Sequence, residues 1–249
     1  MAEHHDACNC SDRPRRREFL GTSFALSALA LVGTATLSPL ARAGAITQAQ
    51  RDKMTPDQII ALMKKGNQRF SKGERQDHNY LAQQRASASG QYPVAVLLSC
   101  IDSRAPAETI MDLRIGDVFN NRVAGNIENG DILGGMEFSC KLMGAKVVLV
   151  MGHTSCGAIK GAIDNAQLGN LTGLLGKIKP AVVATTYTGE RTSKNLAFVD
   201  AVARKNVELT IANIRSGSPV LAEMEKGGAI KVAGAMYNLK TGVIDFFAA

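Results

Sequence analysis

The sequence predicts a single α/β domain: a mixed, mostly parallel β-sheet flanked by helices and preceded by an N-terminal helical arm. Two apolar runs without alternation, residues 93–99 and 146–151, are typical of strands buried on both faces. Each run is followed by a helical pattern, as expected for βα crossovers between parallel strands. The chain has 249 residues, 45% hydrophobic and 20% charged, and can therefore bury a core of this size.

The helical arm is expected over about residues 55–90. Residues 55–58, Thr-Pro-Asp-Gln, supply an N-cap, a proline at the first helical position and a capping box, and this helix should run to about Ser71. A short helix is predicted over residues 80–88, within the polar segment that follows. The α/β core then occupies about residues 91–249.

The remaining predicted elements complete the sheet and its helical layers. They are a third strand at residues 117–123, helices at 137–143, 157–166 and 198–214, and a strand pair formed by 230–237 and 243–247. This last pair should be antiparallel, because only a short turn joins its two strands.

Residues 1–43 have the pattern of a cleavable export signal. A basic run at residues 13–17 precedes an apolar stretch at about 23–37, and Ala41-Arg42-Ala43 forms a small-residue cleavage site. The apolar stretch is shorter than the roughly 20 residues that a bilayer-spanning helix needs, so we expect no stable membrane anchor. Residues 44–249 would form the mature domain.

Residues 16–20, Arg-Arg-Glu-Phe-Leu, resemble a twin-arginine export signal; an ordinary secretory signal with extra arginines is the alternative. We expect residues 1–43 to engage the export machinery and the mature protein to be periplasmic. The formal charge of +7 is otherwise spread along the chain, and its one dense basic run lies in the signal. We therefore predict no nucleic-acid partner.

Cysteine usage in the mature domain favours a metal site. Cys100, Cys140 and Cys156 remain there, together with His78 and His153, and three cysteines cannot all pair. A domain stabilised by disulfides would normally contain more cysteines, in even number. Cys140 falls on a predicted helix and is expected to be a buried packing residue.

Two clusters of reactive side chains follow the two buried strands. Residues 100–104 are Cys-Ile-Asp-Ser-Arg, and residues 152–157 are Gly-His-Thr-Ser-Cys-Gly. Parallel strands end at a common sheet edge, where ligand crevices form, so the clusters should meet. Two thiolates and one imidazole would leave the fourth position of a tetrahedral zinc open, as in catalytic sites. Alternation along an extended chain would point Asp102 and Arg104 to the same side as Cys100.

Each of these residues also has a simpler explanation. Cys100 and Cys156 could be small core residues, since buried free cysteine is common. Asp102 with Arg104 could be a surface ion pair, and His153 could cap a helix. The joint pattern favours the metal site, because both metal-spaced clusters end a buried strand.

The pattern C-x-D-x-R, followed some fifty residues later by G-H-x-x-C-G, resembles the signature of β-class carbonic anhydrases. Residues 66–70 and 116–126 are similar to further motifs of that family, and the resemblance extends over about residues 55–247. It implies one Zn²⁺ per chain, bound by Cys100, His153 and Cys156. It further implies a catalytic dyad, Asp102 with Arg104, beside the water on the metal.

The same resemblance suggests three substrate-binding residues. Gln91 matches a substrate-binding glutamine of plant-type members, and Phe119 with Ala124 matches apolar pocket positions. The simpler alternatives are an exposed loop amide for Gln91 and an ordinary core aromatic for Phe119. Leu97 stands where a regulated subclass has tryptophan, so we expect an open, water-bearing site, although Arg122 matches an arginine of that subclass's bicarbonate pocket.

The implied function is reversible hydration of carbon dioxide to bicarbonate and a proton, by attack of zinc-bound hydroxide. One alternative is a related zinc hydrolase acting on carbon disulfide or carbonyl sulfide, because relatives with these ligands process such molecules. A non-catalytic zinc- or bicarbonate-binding protein is a further alternative, and the Asp102–Arg104 dyad argues against it. By resemblance we also expect a homodimer or a larger even oligomer.

Overall fold

The computed structural model describes residues 46–247, which form helices around a five-stranded sheet of order β2-β1-β3-β4-β5. The strands are β1 (Ala95–Ser99), β2 (Val118–Arg122), β3 (Val147–His153), β4 (Lys231–Tyr237) and β5 (Ile244–Phe247). β1 to β4 are parallel, and β5 is antiparallel to β4. The predicted mixed, mostly parallel sheet is confirmed. The predicted export signal lies outside the described residues.

Burial on both faces explains why the central strands read as unbroken apolar runs. Every residue of β1 and β3 is buried. Leu97 and Leu149 pack into a core on one face with side chains of the N-terminal arm, whereas Val96 and Val150 pack into a second core on the other face. No face of these two strands meets water, so no polar alternation is needed.

The helices surround this sheet. They are α1 (Gln48–Lys53), α2 (Pro56–Ser71), α3 (Tyr80–Ser87), α4 (Ala107–Ile110), α5 (Gly130–Glu137), α6 (Gly157–Ile163), α7 (Gly169–Ala184), α8 (Leu196–Gly217) and α9 (Pro219–Lys226). Within residues 46–247, none of them has both the length and the apolar composition needed to cross a bilayer.

Most predicted helices are present, with differences that have local causes. The predicted capping box of α2 forms, with Thr55 accepting from Gln58 N and Gln58 accepting from Thr55 N. The helix predicted over 137–143 instead starts at Gly130, where the Asn129 side chain accepts from Ile132 N, and ends in a π-helical turn at Phe138–Leu142. Its three glycines, of low helix propensity, obscured the start.

The arm is fixed to the core by Asn67, which is only 3% exposed. Its Nδ2 donates to the carbonyl oxygens of Ile110 (3.0 Å) and Gly242 (2.8 Å), and its Oδ1 accepts from Ile244 N at 2.8 Å. One side chain thereby joins α2 to α4 and to the β4–β5 turn. All three bonds are buried or partly buried, so losing them would leave polar groups unsatisfied.

A buried carboxylate forms a second link between arm and core. Asp112 accepts hydrogen bonds from Arg69 Nε (2.6 Å) and Gln76 N (3.2 Å) and pairs with His78 Nε2 (2.8 Å). Burial raises the pKa of Asp112. The hydrogen bonds from His78, Arg69 and Gln76 N outweigh this effect, so the pKa lies below its usual value. The carboxylate is therefore held in its ionised form between the arm and the segment after α4.

Close contact between helices makes Gly66 a sensitive position. A Cβ atom there would lie 1.8 Å from the carbonyl oxygen of Met111. Alanine normally stabilises a helix relative to glycine, but this clash should reverse the sign, and we expect Gly66→Ala to destabilise the protein by roughly 1–3 kcal/mol. Urea unfolding of the purified variants measures the effect.

Gly176→Ala on α7 is the matched control, because no atom of residues 46–247 lies within 4 Å of the Cβ position there. It should be neutral or stabilising by about 0.5–1 kcal/mol. Equal stability of the two variants would contradict the proposed contact between α2 and Met111.

Candidate metal centre

The carboxyl ends of β1 and β3 bring three ligand atoms together. Ser99 at the end of β1 pairs with Met151, so Cys100 comes next to His153, the last residue of β3. Cys156 follows the tight turn after β3. The Sγ atoms of both cysteines and a ring nitrogen of His153 lie within 4.8 Å of one another, and all three residues are buried. The predicted convergence of the two clusters is confirmed.

One nitrogen of His153 is available for a metal. Nδ1 lies 2.9 Å from the carbonyl oxygen of Thr154, which favours a proton on Nδ1 and a lone pair on Nε2. Nε2 is buried and has no hydrogen-bond partner among residues 46–247. A buried, unpartnered polar atom is costly, and a metal ion at the cluster would satisfy it.

The spacing of the two thiols fits zinc. The Sγ atoms of Cys100 and Cys156 are 4.0 Å apart. Two sulfur ligands at ~2.3 Å from one tetrahedral ion would lie roughly 3.8 Å apart. Thiolate and imidazole are also the donors that zinc prefers. The three residues therefore fit a zinc ion with one open coordination position.

The pKa values of the two thiols in the cluster are shifted in opposite directions. A hydrogen bond from Cys156 is the main cause that lowers the pKa of Cys100 to about 4 against the effect of burial; His153 and the Gly125 N–H, 3.4 Å from the sulfur, lower it as well. Cys100 in turn raises the pKa of Cys156 above its ordinary value. Each thiolate thus disfavours ionisation of the other thiol, and a metal ion that binds both must overcome this repulsion.

Asp102 lies beside this cluster, held by Arg104. Its Oδ1 accepts from Arg104 N and Nε, both at 2.9 Å, and its Oδ2 accepts from Arg104 Nη2 at 2.7 Å. These bonds hold the pKa of Asp102 well below its usual range. Asp102 Oδ2 is 3.8 Å from Nε2 of His153. An ionised carboxylate thus lies beside the cluster.

The backbone reaches this arrangement differently from the extended alternation that was predicted for residues 100–104. β1 ends at Ser99, and the chain then turns, with Ala105 N donating to the carbonyl oxygen of Asp102 at 3.0 Å. The Asp102 side chain accepts the backbone N–H of Arg104 and so stabilises the turn. The prediction of alternation was wrong, although Asp102 still meets the cluster.

Comparison with known proteins decides the family. The carbonic anhydrase family model matches residues 95–244, a span that contains the cluster and the Asp102–Arg104 pair. The chain belongs to the β-carbonic anhydrase family. Carbonic anhydrase 2 of Mycobacterium tuberculosis is 33% identical over 186 residues, covering 72% of this chain and 87% of the relative.

Solved β-carbonic anhydrases share the fold. A structure from Aspergillus fumigatus is 26% identical, covers 77% of this chain and 89% of its own, and superimposes with a TM-score of 0.59. A β-carbonic anhydrase from Sordaria macrospora, described as tetrameric, is 25% identical, covers 65% and 84%, and has a TM-score of 0.57.

Two residues of this family member that support the site were not assigned these roles from sequence. Arg122, at the end of β2, donates from Nε to the carbonyl oxygen of Cys100 (3.0 Å) and from Nη2 to that of Asp102 (2.6 Å). Gly125 donates its N–H to Cys100 Sγ, in a turn where its φ is +69°. The available signal was their position, with Arg122 near the end of the strand predicted over 117–123 and Gly125 just after it.

The three suggested pocket residues of the carbonic anhydrase lie in different places. Ala124 is next to Gly125 and so close to Cys100. Phe119 lies three residues before the end of β2 and packs edge-on against Phe138, with a centroid distance of 6.1 Å. Gln91 is exposed, before the amino end of β1, and the described chain does not bring it to the ligands. Substrate-binding roles for all three stay predictions.

The ligand set predicts different effects on zinc binding for two cysteine substitutions. Cys156→Ala should abolish stable zinc binding, because a remaining thiolate and imidazole hold zinc weakly. Cys140→Ala should retain one zinc per chain, since burial raises the pKa of Cys140 to about 12 and leaves it an inert thiol. Metal analysis after gel filtration measures both. Zinc retained by Cys156→Ala, or lost from Cys140→Ala, would contradict this ligand set.

Proposed function

We propose that this protein is a zinc-dependent carbonic anhydrase that catalyses the reversible hydration of carbon dioxide to bicarbonate and a proton. The observation that carries the proposal is the Cys100–His153–Cys156 cluster with the Asp102 carboxylate beside it, in a chain of the β-carbonic anhydrase family. One Zn²⁺ per chain would be held by the three cluster residues.

When bound, zinc supplies Lewis-acid chemistry by lowering the pKa of water at the position that its protein ligands leave open. Two thiolates and a neutral imidazole make the centre formally neutral, so this acidification is weaker than with three neutral histidines. A hydrogen-bond acceptor beside the water is therefore needed to favour its deprotonation and to orient it.

Asp102 meets this need. Arg104 holds the pKa of Asp102 well below its usual range, so the carboxylate is ionised at neutral pH and can accept a hydrogen bond from the reacting water. The three hydrogen bonds from Arg104 also restrain Asp102 from turning onto the cluster. This supports the open, water-bearing site, in which the fourth position is free for chemistry.

The site is bordered by buried apolar residues and by an exposed arginine. Ile127, Ile159 and Val199 are buried in the same apolar core as the two cysteines and exclude water from the ligands. On the other side, the Arg104 side chain is 58% exposed. A proton released beside Asp102 can therefore pass to solvent or buffer, while the apolar side suits carbon dioxide better than a charged substrate.

Stopped-flow carbon dioxide hydration by the protein from Gly44 onward, with zinc measured on the same sample, tests the function. We expect fast, chelator-sensitive hydration at one zinc per chain. Asp102→Asn should lower kcat by on the order of 10²-fold, because proton handling by a positioned side chain typically contributes this much. Zinc should remain bound to the variant.

Asp164→Asn, which changes an exposed carboxylate at the end of α6, is the control and should keep full activity. Hydration unaffected by Asp102→Asn would refute the assigned role. Zinc bound without carbon dioxide hydration, but with carbon disulfide turnover, would favour the sulfur-substrate alternative.

We also propose that the enzyme is a homodimer or a larger even oligomer. The Sordaria macrospora relatives are described as tetrameric, and the apolar side chains of Phe138 (46% exposed) and Leu142 (73% exposed) lie open on this chain. β2 is at the edge of the described sheet, and an edge strand presents backbone groups that can pair with another chain. Light scattering on the sample used for the hydration kinetics measures the mass of the assembly.

Finally, we propose export to the periplasm by the twin-arginine route. The basic run at 13–17, the apolar stretch and the Ala41-Arg42-Ala43 site support it. Changing Arg16 and Arg17 to lysine should retain the full chain in the cytoplasm, as judged by fractionation of a bacterial host that has this pathway. Changing Arg13 and Arg15 to lysine should leave export intact. Full export of the first variant would favour an ordinary secretory signal.

A further inference from the structure

The backbone between two metal ligands has an unusual conformation. Ser155 lies between His153 and Cys156 and has a φ of +54°, in the left-handed region. A residue with a Cβ is disfavoured there by its own sterics, so the surroundings must hold it in place. The relative position of the two ligands depends on this residue, because the turn it forms sets the direction of the chain from β3 into α6.

Asp200 holds Ser155 in this conformation. Its Oδ1 accepts the backbone N–H of Ser155 at 2.7 Å, from α8 and 45 residues further along the chain. A carboxylate accepting from a backbone N–H forms a stronger bond than a neutral acceptor would. Thr154 is fixed as well, by its N–H to the carbonyl oxygen of Tyr237 and by its hydroxyl, which accepts from Leu239 N.

Helix α8, which carries Asp200, is also hydrogen-bonded to the turn beside Cys100. Asn206 Nδ2 donates to the carbonyl oxygen of Gly125 at 2.7 Å, and Thr210 Oγ1 donates to that of Asn126 at 3.4 Å. Gly125 is the residue whose N–H reaches Cys100 Sγ. Helix α8 therefore contacts the surroundings of Cys100 and of the His153–Cys156 turn, and it can hold the two in a fixed relation.

We propose that Asp200 is a positioning residue of the metal centre: by binding the Ser155 peptide it sets the spacing and direction of His153 and Cys156. This inference rests on the proposed zinc centre and adds a residue that touches neither metal nor substrate. Residues outside the ligand set that orient metal ligands typically change metal affinity by 10- to 100-fold when they are mutated.

A purely structural role would give a different result. Asp200 is on α8, and its bond to Ser155 N joins this helix to the turn after β3, which by itself adds to the stability of the fold. Loss of that contribution would lower the melting temperature and leave the geometry of the metal site unchanged. The absorption spectrum of the cobalt-substituted protein separates the two roles, because its d–d and thiolate-to-cobalt bands report the ligand geometry.

The experiment uses the full mature chain loaded with cobalt or zinc. Asp200→Ala should shift the cobalt bands and weaken zinc affinity 10- to 100-fold in chelator competition. Asp200→Asn keeps an acceptor oxygen and should restore both readouts nearly to those of the unchanged protein. Glu208→Ala, which removes another α8 carboxylate, one that pairs with Arg204 and Lys205, is the control and should change neither.

Unchanged cobalt bands and zinc affinity in Asp200→Ala would overturn the inference. The inference would also be overturned if Asp200→Asn changed the cobalt bands and zinc affinity as much as Asp200→Ala does. The acceptor oxygen that asparagine retains would then have no effect. These failures leave the proposed function intact. If the unchanged protein showed no thiolate-to-cobalt band, the metal centre and the proposed function would fail together with this inference. A normal band without hydration activity would remove the proposed function alone.

Discussion

The satisfaction of three buried ligand atoms is the constraint on which the rest of this structure depends. Two thiols and an imidazole nitrogen lie within 4.8 Å of one another, and Nε2 of His153 has no hydrogen-bond partner in the described chain. A cation that joins the three atoms removes the cost of burying them unpaired, and it can do so only where the backbone holds them rigidly in place. The sheet provides that rigidity, because parallel β1 and β3 end side by side.

Much of the fold and the ligand set could be predicted because local signals agreed with the tertiary structure. The buried strands appear as apolar runs, the Thr55 capping box marks α2, and the reactive residues follow strand ends. α7 gave no such signal. It contains three glycines and Pro180, and it is held by packing of Leu175, Ile178 and Ala181 rather than by helix propensity.

The supporting contacts of the site could not be predicted because they join residues that are distant along the chain. Nothing local connects Asp200 to Ser155 or Asn206 to Gly125, since both bonds require α8 to be docked first. The turn at Asp102 was missed for a different reason: its side chain competes with the strand for the local backbone N–H. Reactive residue types are visible in a sequence, whereas the groups that orient them emerge only with the fold.

The separation of the two cysteines along the chain has a further consequence. Cys100 and Cys156 are 56 positions apart, and an ion bound to both would act as a reversible cross-link. Like a disulfide, such a link reduces the conformational entropy of the unfolded chain if it persists there, and if it is lost on unfolding its binding free energy adds to the free energy of unfolding. Tighter binding of the ion to the folded chain therefore also raises the free energy of unfolding.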